Sequence, residues 1–204
     1  MTAPVEFWFE FASTYSYPAA HRIEREANAR GIPVKWRSFL LAPIFGAQGW
    51  NDSPFNIYPA KGKYMWRDLA RICANEGLPL KRPSHFPRNG LLAARIVAAF
   101  PEADWLPGFV KSVYSANFAA DEDISSPAIL GNILKALGQK PDEVLAAAAA
   151  QENKDHFRRQ TDDAIARGVF GSPSFVVDGE LFWGNDRLDA ALDWAEGNRA
   201  AVAL

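Results

Sequence analysis

An α/β fold interrupted by a long helical insertion is predicted for this 204-residue chain by three observations. An alternating apolar segment opens the chain and leads, through a helical pattern, to a second β-branched and aromatic segment. Helical patterning then runs for about a hundred residues. The chain finally returns to two strand patterns joined by Asp178-Gly179, followed by one more helix.

Val5 to Phe11 alternates, with Val5, Phe7, Phe9 and Phe11 on one face and Glu6, Trp8 and Glu10 on the other, and reads as a strand. Ser13-Thr14 supplies N-cap chemistry for a helix in which Ala20, Ile23 and Ala27 keep helical spacing up to Gly31. Val34 to Phe39 reads as a second strand, which makes the first forty residues a βαβ unit with a parallel pair. Leu41 to Asn56 shows no periodicity and reads as a long irregular loop. Met65, Leu69, Ile72 and Cys73 share a helical face; Pro79, Pro83 and Pro87 break the chain; a helix is expected from about Asn89 to Phe100. Trp105, Phe109 and Val113 mark another, and Ser126-Pro127 places an N-cap and Pro at N1 before a helix ending near Gly138. The run Ala146 to Ala150 is a strong helix former. Asp178-Gly179 between apolar runs predicts a hairpin, and Gly184-Asn185-Asp186 caps a last helix carrying Leu188, Leu192 and Ala195. Pairing the terminal pieces in one sheet gives a thioredoxin-like domain from residues 1–42 and 166–204, with an all-helical domain, 43–165, inserted into it.

Composition narrows the function classes. Apolar residues make up 49% of the chain, enough to bury a core without covalent staples. A net charge of −2, with both signs scattered, argues against nucleic acid or an anionic membrane as partner. The single cysteine, Cys73, excludes an intrachain disulfide, and its place on an apolar helical stripe makes it a core thiol. Acidic Glu6 and Glu10 near the N-terminus and the lack of a long apolar stretch lead to the expectation of a cytoplasmic protein. His21, His85 and His156 show no metal-ligand spacing, so no metal site is expected.

Three segments could carry chemistry. Phe11 to Tyr17 lies where a strand runs into a helix, and the amides of such a helix start favour an anion, a thiolate included. Ser13 or Thr14 either caps that helix or faces such a group. In Gly168 to Phe175, Ser172-Pro173 precedes a strand. It is either an ordinary trans turn or, in a thioredoxin-like sheet, a cis bond presenting the Ser172 backbone to a peptide-like ligand. Trp183 to Arg187 either caps the last helix or grips a charged terminus of a small ligand.

Phe9 to Tyr17, Tyr58 to Met65, Val169 to Pro173 and Trp183 to Arg187, in register along the chain, resemble the 2-hydroxychromene-2-carboxylate isomerases. These are relatives of the kappa-class glutathione transferases in the DsbA-like branch of the thioredoxin superfamily. The resemblance implies a DsbA-type fold, glutathione as cofactor, a small aromatic carboxylate as substrate, and a homodimer. It assigns Ser13 to the glutathione sulfur in place of a redox cysteine. It also assigns Ser172 beside a cis Pro173 to the cysteinyl backbone, and Trp183, Gly184, Asn185 and Asp186 to the γ-glutamyl end. Asn51 and Lys61 fall near positions that contact glutathione or substrate. The family pattern has proline where this chain has Thr14, so two hydroxyls are available at the sulfur, and Thr14, Arg88 and Asn89 are candidates for the substrate.

The implied reaction interconverts a ring-closed hydroxychromene carboxylate and an open trans-o-hydroxybenzylidenepyruvate by reversible addition of a thiolate. The alternatives are a kappa-type glutathione transferase or peroxidase on the same scaffold, which consumes thiol, and a protein that binds glutathione or a peptide without turnover.

Overall fold

Val5, Phe7 and Phe9 are fully buried on one face of β1 (Val5–Phe9), as the alternation predicts. The computed structural model describes residues 2–198. From β1 the chain crosses through α1 (Ser16–Asn28) to β2 (Val34–Ser38), which pairs with β1 in parallel. After the insertion, β3 (Ser174–Val177) pairs antiparallel with β1, and β4 (Glu180–Trp183) with β3, giving the order β2-β1-β3-β4. The hairpin turn has Asp178 at φ 50° and Gly179 at φ 86°, the two left-handed positions of a type I′ turn.

The insertion comprises α2 (Leu41–Ala47), α3 (Pro54–Ile57), α4 (Pro59–Asn75), α5 (Leu91–Ala99), α6 (Leu106–Ser115), α7 (Pro127–Ala136), α8 (Pro141–Ala149) and α9 (Gln151–Ala166). α10 (Leu188–Ala195) closes the fold and packs with α1 against the sheet. Among the described residues no helix is long and apolar enough to cross a membrane.

Several local expectations are corrected. Residues 41–56 are not an irregular loop. α2 forms because Leu41 and Ile44 bury against Trp8, Phe39 and Val176, a tertiary reward that a seven-residue window does not advertise. The same contact buries Trp8, which is 1% exposed because α2 and the end of α9 cover the second face of the sheet. The first strand stops at Phe9, and α1 begins at Ser16 with Tyr15 in the N-cap position and no side-chain cap. Ser126 holds its predicted N-cap position, but its hydroxyl makes no capping bond. The alanine run is helical through Ala149 and breaks at Ala150, where ψ is 142°. Gly184-Asn185-Asp186 leads first into a 3₁₀ turn, Asn185–Arg187, and α10 starts after it.

What fixes the insertion on the sheet is polar and specific. Ser38, wholly buried at the end of β2, donates to the Ala94 carbonyl of α5 at 2.8 Å and accepts at its own carbonyl from Gln160 of α9 at 2.6 Å. A π-helical turn, Ala116–Ala120, follows α6 and aims Asn117 back at the segment after β1. There Asn117 Nδ2 donates to the Phe11 carbonyl at 3.1 Å, and Tyr114 Oη donates to the Glu10 carbonyl at 2.8 Å. Gly90 presses on the same segment: a Cβ added there would come within 2.7 Å of Phe11 Cβ.

Because Asn117 is 1% exposed and also accepts from Arg88, Asn117→Ala strands both the Phe11 carbonyl and an Arg88 donor in a buried place. Denaturant unfolding should show a loss of about 1–3 kcal/mol. A change smaller than about 0.5 kcal/mol would mean that the insertion is not anchored here.

Candidate active site

Four polar groups from opposite ends of the chain converge where β1 gives way to α1. The Ser13 hydroxyl donates to the Ser172 carbonyl at 2.7 Å and lies 3.0 Å from the Ser16 hydroxyl, which donates to it. Ser16 and Ser172 share a hydroxyl–hydroxyl bond of 2.7 Å. The Glu10 amide donates to Ser172 Oγ at 2.9 Å, and the Ser13 amide to the Glu10 carbonyl, also at 2.9 Å. The Ser172–Pro173 peptide is cis, the conformation the resemblance implies. The Pro173 carbonyl accepts from the Gly184 amide at 2.9 Å, which seats the β4 exit beside the serines.

Sequence reasoning assigned no role to Ser16. It lies one helical turn from Ser13 and bridges both halves of the site, a pairing visible only once Ser172 is in place. The α1 start also differs from a simple cap: Ser13 Oγ accepts from the Ser16 amide at a long 3.4 Å. Thr14 is 1% exposed and its hydroxyl has no partner.

These groups open onto a cavity of about 1550 Å³, larger than a typical small-ligand site and roomy enough for two molecules. Ser13, Thr14, Ser172, Pro173, Trp183, Gly184, Asn185 and Asp186 form one side. Asn51, Lys61, Arg88 and Asn89 line the same cavity, as do Phe45, Trp50 and Phe55. All the sequence-derived site residues therefore border one space. Asn185 is 7% exposed and its Oδ1 is a buried acceptor without a donor. Trp183 packs against Phe170 with ring centroids 4.8 Å apart and planes tilted by 60°, and lies over Gly171, where a Cβ would meet the indole Nε1 at 2.3 Å. Gly62 is needed for a similar reason, since a Cβ would meet the Phe55 carbonyl oxygen at 2.1 Å and push α4 from α3.

Two candidates face the cavity but have other work. Arg88 is not a free cation for a substrate carboxylate. Its guanidinium is 8% exposed and bonded to Asp121, to Ser84 at 3.1 Å and to Asn117 at 3.2 Å, tying the loop before α5 to the π-helical turn. Asn89, one residue before the N-cap Gly90, accepts from the first amide of α5, Leu91, at 2.9 Å, and its amide nitrogen makes no hydrogen bond among the described residues. Lys61 is exposed, with Nζ 4.7 Å from the centre of the Tyr58 ring. Tyr15 donates to Asp68 on α4 at 3.1 Å, and burial with this bond raises its phenol well above the usual range.

Burial raises Glu10, on the cavity wall, to about 7. Cys73 is buried in the core and pushed up to about 11, so it supplies no thiolate near neutrality. Desolvation lowers His21, which packs edge-on to Tyr17. Among the described residues no group of three or more His, Cys, Asp or Glu side chains could hold a metal ion.

Residues 4–193 match the family of DSBA-like thioredoxin domains. A 2-hydroxychromene-2-carboxylate isomerase of Sphingobium xenophagum is 30% identical over 191 residues, covering 93% of this chain and 96% of that protein. Glutathione S-transferase kappa 2 of Caenorhabditis elegans is 26% identical, covering 93% of this chain and 90% of that one. A solved 2-hydroxychromene-2-carboxylate isomerase superposes with a TM-score of 0.81 at 26% identity, over 95% of this chain and 94% of the other.

Two stability measurements test this wall. Ser172→Ala removes the acceptor of a buried amide and a hydroxyl, and chemical unfolding should show a loss of about 1–3 kcal/mol; an unchanged midpoint would detach Ser172 from the junction. The Ser84 amide, followed by the Arg88 guanidinium, lowers the Asp121 carboxyl below its ordinary 3.8. The ionised form is therefore favoured by folding, so its stabilisation is complete above about pH 4 and is lost as pH falls through the lowered value. Asp121→Asn should be less stable than wild type at neutral pH, with the gap closing on acidification; a gap independent of pH would refute the ionic contribution.

Proposed function

The chain belongs to the DSBA-like thioredoxin family and, within it, to the 2-hydroxychromene-2-carboxylate isomerase family, and from this premise we propose that it is a glutathione-dependent isomerase of hydroxychromene-carboxylate-type substrates. One observation carries the reading: a helix-start serine, bonded to the carbonyl of Ser172 beside a cis proline, opens on a cavity lined by both polar groups and aromatic rings. Glutathione, when bound, supplies a thiolate that adds reversibly to the unsaturated carbon, so that a bond blocked while double can turn.

The orphaned Asn185 acceptor supports the fit. It is buried at one end of the polar side, where an ammonium or amide group of a tripeptide could satisfy it. Gly184 and Trp183 would flank that end, and the backbone of Ser172 would pair with the central residue as an added strand does. Ser13 and the Thr14 and Tyr15 amides, which donate no backbone bond among the described residues, would face the sulfur.

The magnitudes suffice. A thiol with a pKa near 8.5 must be lowered by about two units, roughly 2.7 kcal/mol, for the thiolate to dominate at neutral pH. A helix N-terminus contributes about 0.3–2 kcal/mol, and a hydroxyl bonded to the anion about 1.5–3 kcal/mol. Ser13 donates to Ser172 in this structure, so serving the sulfur requires its hydroxyl to turn by rotation about χ1 or the C–O bond.

Beyond the polar side, Phe45, Trp50 and Phe55 provide an apolar slot for an aromatic ring. With Arg88 engaged by Asp121, Lys61 and the side-chain amides of Asn51 and Asn89 are among the lining groups able to meet a carboxylate. A kappa-type transferase is the second reading, favoured by the similarity to proteins of that name; it consumes thiol, whereas an isomerase returns it.

Incubation with the hydroxychromene carboxylate should show spectral equilibration of two isomers that needs glutathione and leaves its concentration constant. Equilibration without glutathione would remove the mechanism, and steady thiol consumption would favour the transferase. Ser13→Ala should slow the reaction by about ten- to a hundredfold and shift the pH–rate profile upward, with glutathione affinity changed only several-fold. An unchanged profile would move the sulfur contact to Thr14.

A further inference from the structure

Two glutamates share one face of the opening strand and its extension, and the fold treats them differently. Glu6 accepts from the Trp8 indole at 3.2 Å and pairs with Arg167 at 3.6 Å. Glu10 has no hydrogen bond or ion pair to its carboxylate among the described residues. Its backbone, by contrast, is fixed by Ser172, Ser13 and Tyr114. The residue is half-buried and borders the cavity beside Ser13 and Ser172. A carboxylate taken partly out of water without a donor lowers stability, and nothing in the packing makes use of it.

The surrounding charges do not neutralise it. On α4, Lys61 lies over Tyr58 and Asp68 holds Tyr15. Arg88 is engaged by Asp121, Arg187 lies 3.4 Å from Asp186, and Asp52 accepts from Asn56. From the core side, Tyr114 on α6 meets the Glu10 carbonyl and not its carboxylate.

We propose that the Glu10 carboxylate takes the proton of the thiol held at Ser13. This assignment rests on the glutathione reading above. The S–H bond breaks and an O–H bond forms on Glu10, while the electron pair stays on sulfur. On release the proton returns, so neither group is consumed. Negative charge moves from oxygen to sulfur without a second anion accumulating, which two neighbouring ionised groups would resist. Burial has already brought Glu10 to about 7, close enough to a thiol near 8.5 for the exchange to be nearly balanced.

The test is a calorimetric titration of glutathione into wild type, Glu10→Gln and Glu10→Asp at about pH 7.5, in buffers of different ionisation enthalpy. Ultraviolet absorbance reports the bound thiolate, and isomerase rates are measured in parallel. Wild type should form thiolate while releasing well under one proton to the buffer. Glu10→Gln should release close to one proton to the buffer for each thiolate formed, with an isomerase rate that follows its thiolate fraction, and Glu10→Asp should again release well under one. Equal proton release per thiolate in wild type and Glu10→Gln would overturn the assignment and leave the glutathione reading standing. Absence of glutathione binding by wild type would overturn both.

A measurement without ligand gives a second check. The raised folded-state value means that stability falls as pH rises from about 4.5 towards about 7, and Glu10→Gln should abolish that fall in the melting temperature. A variant that melts with the wild-type pH slope would also refute an unpaired, titrating Glu10.

Discussion

The cis peptide before Pro173 and the Ser172 side chain form the junction on which the site depends. Ser172 lies 159 residues from Ser13, yet its carbonyl, its hydroxyl and the Ser16 hydroxyl knit the end of β1, the start of α1 and the start of β3 together. Each bond alone is worth about 1 kcal/mol, but a shared acceptor makes their geometry interdependent. Displacing Ser172 would leave the Glu10 amide unsatisfied and free Ser13 from its orientation. Those bonds hold the backbone of the junction in place while leaving the Ser13 hydroxyl free to exchange its acceptor by rotation.

The insertion contributes more than a lid. Tyr114 and Asn117 hold the carbonyls of Glu10 and Phe11 from the core side, while Arg88, fastened to Asp121 and Asn117, keeps the loop before α5 against the same place. The wall that would accept an aromatic substrate is therefore built onto the wall that would hold the thiol. Division of labour follows the chemistry of the residues. Backbone amides, serines and a buried amide acceptor line the cavity together with rings from α2 to α4 and from Phe170 and Trp183.

Much of this was legible from local pattern. The alternation in Val5 to Phe9, the Asp178-Gly179 turn and the Pro-initiated helices state their structure within a few residues, since backbone sterics and side-chain period are short-range effects. The four ordered segments gave the family and brought its candidate residues to a single cavity. Illegible were α2, which exists because Leu41 and Ile44 find Trp8 and Phe39, and the burial of Trp8, which follows because both faces of the sheet are covered. Arg88 carried the same ambiguity: a positive side chain near a predicted pocket serves a ligand or a neighbour according to whether an acid folds beside it, and here Asp121 does.

By itself, then, the sequence determined the order and kind of most elements and which hydroxyl and amide side chains sit where strands run into helices, because propensity, turn stereochemistry and motif spacing act along the chain. Tertiary structure alone decided which hydroxyls meet, which arginine is engaged and which carboxylate is left without a partner. Hydrogen-bond satisfaction and desolvation depend on what arrives from distant segments, and residues 13 and 172 carry no local sign of each other.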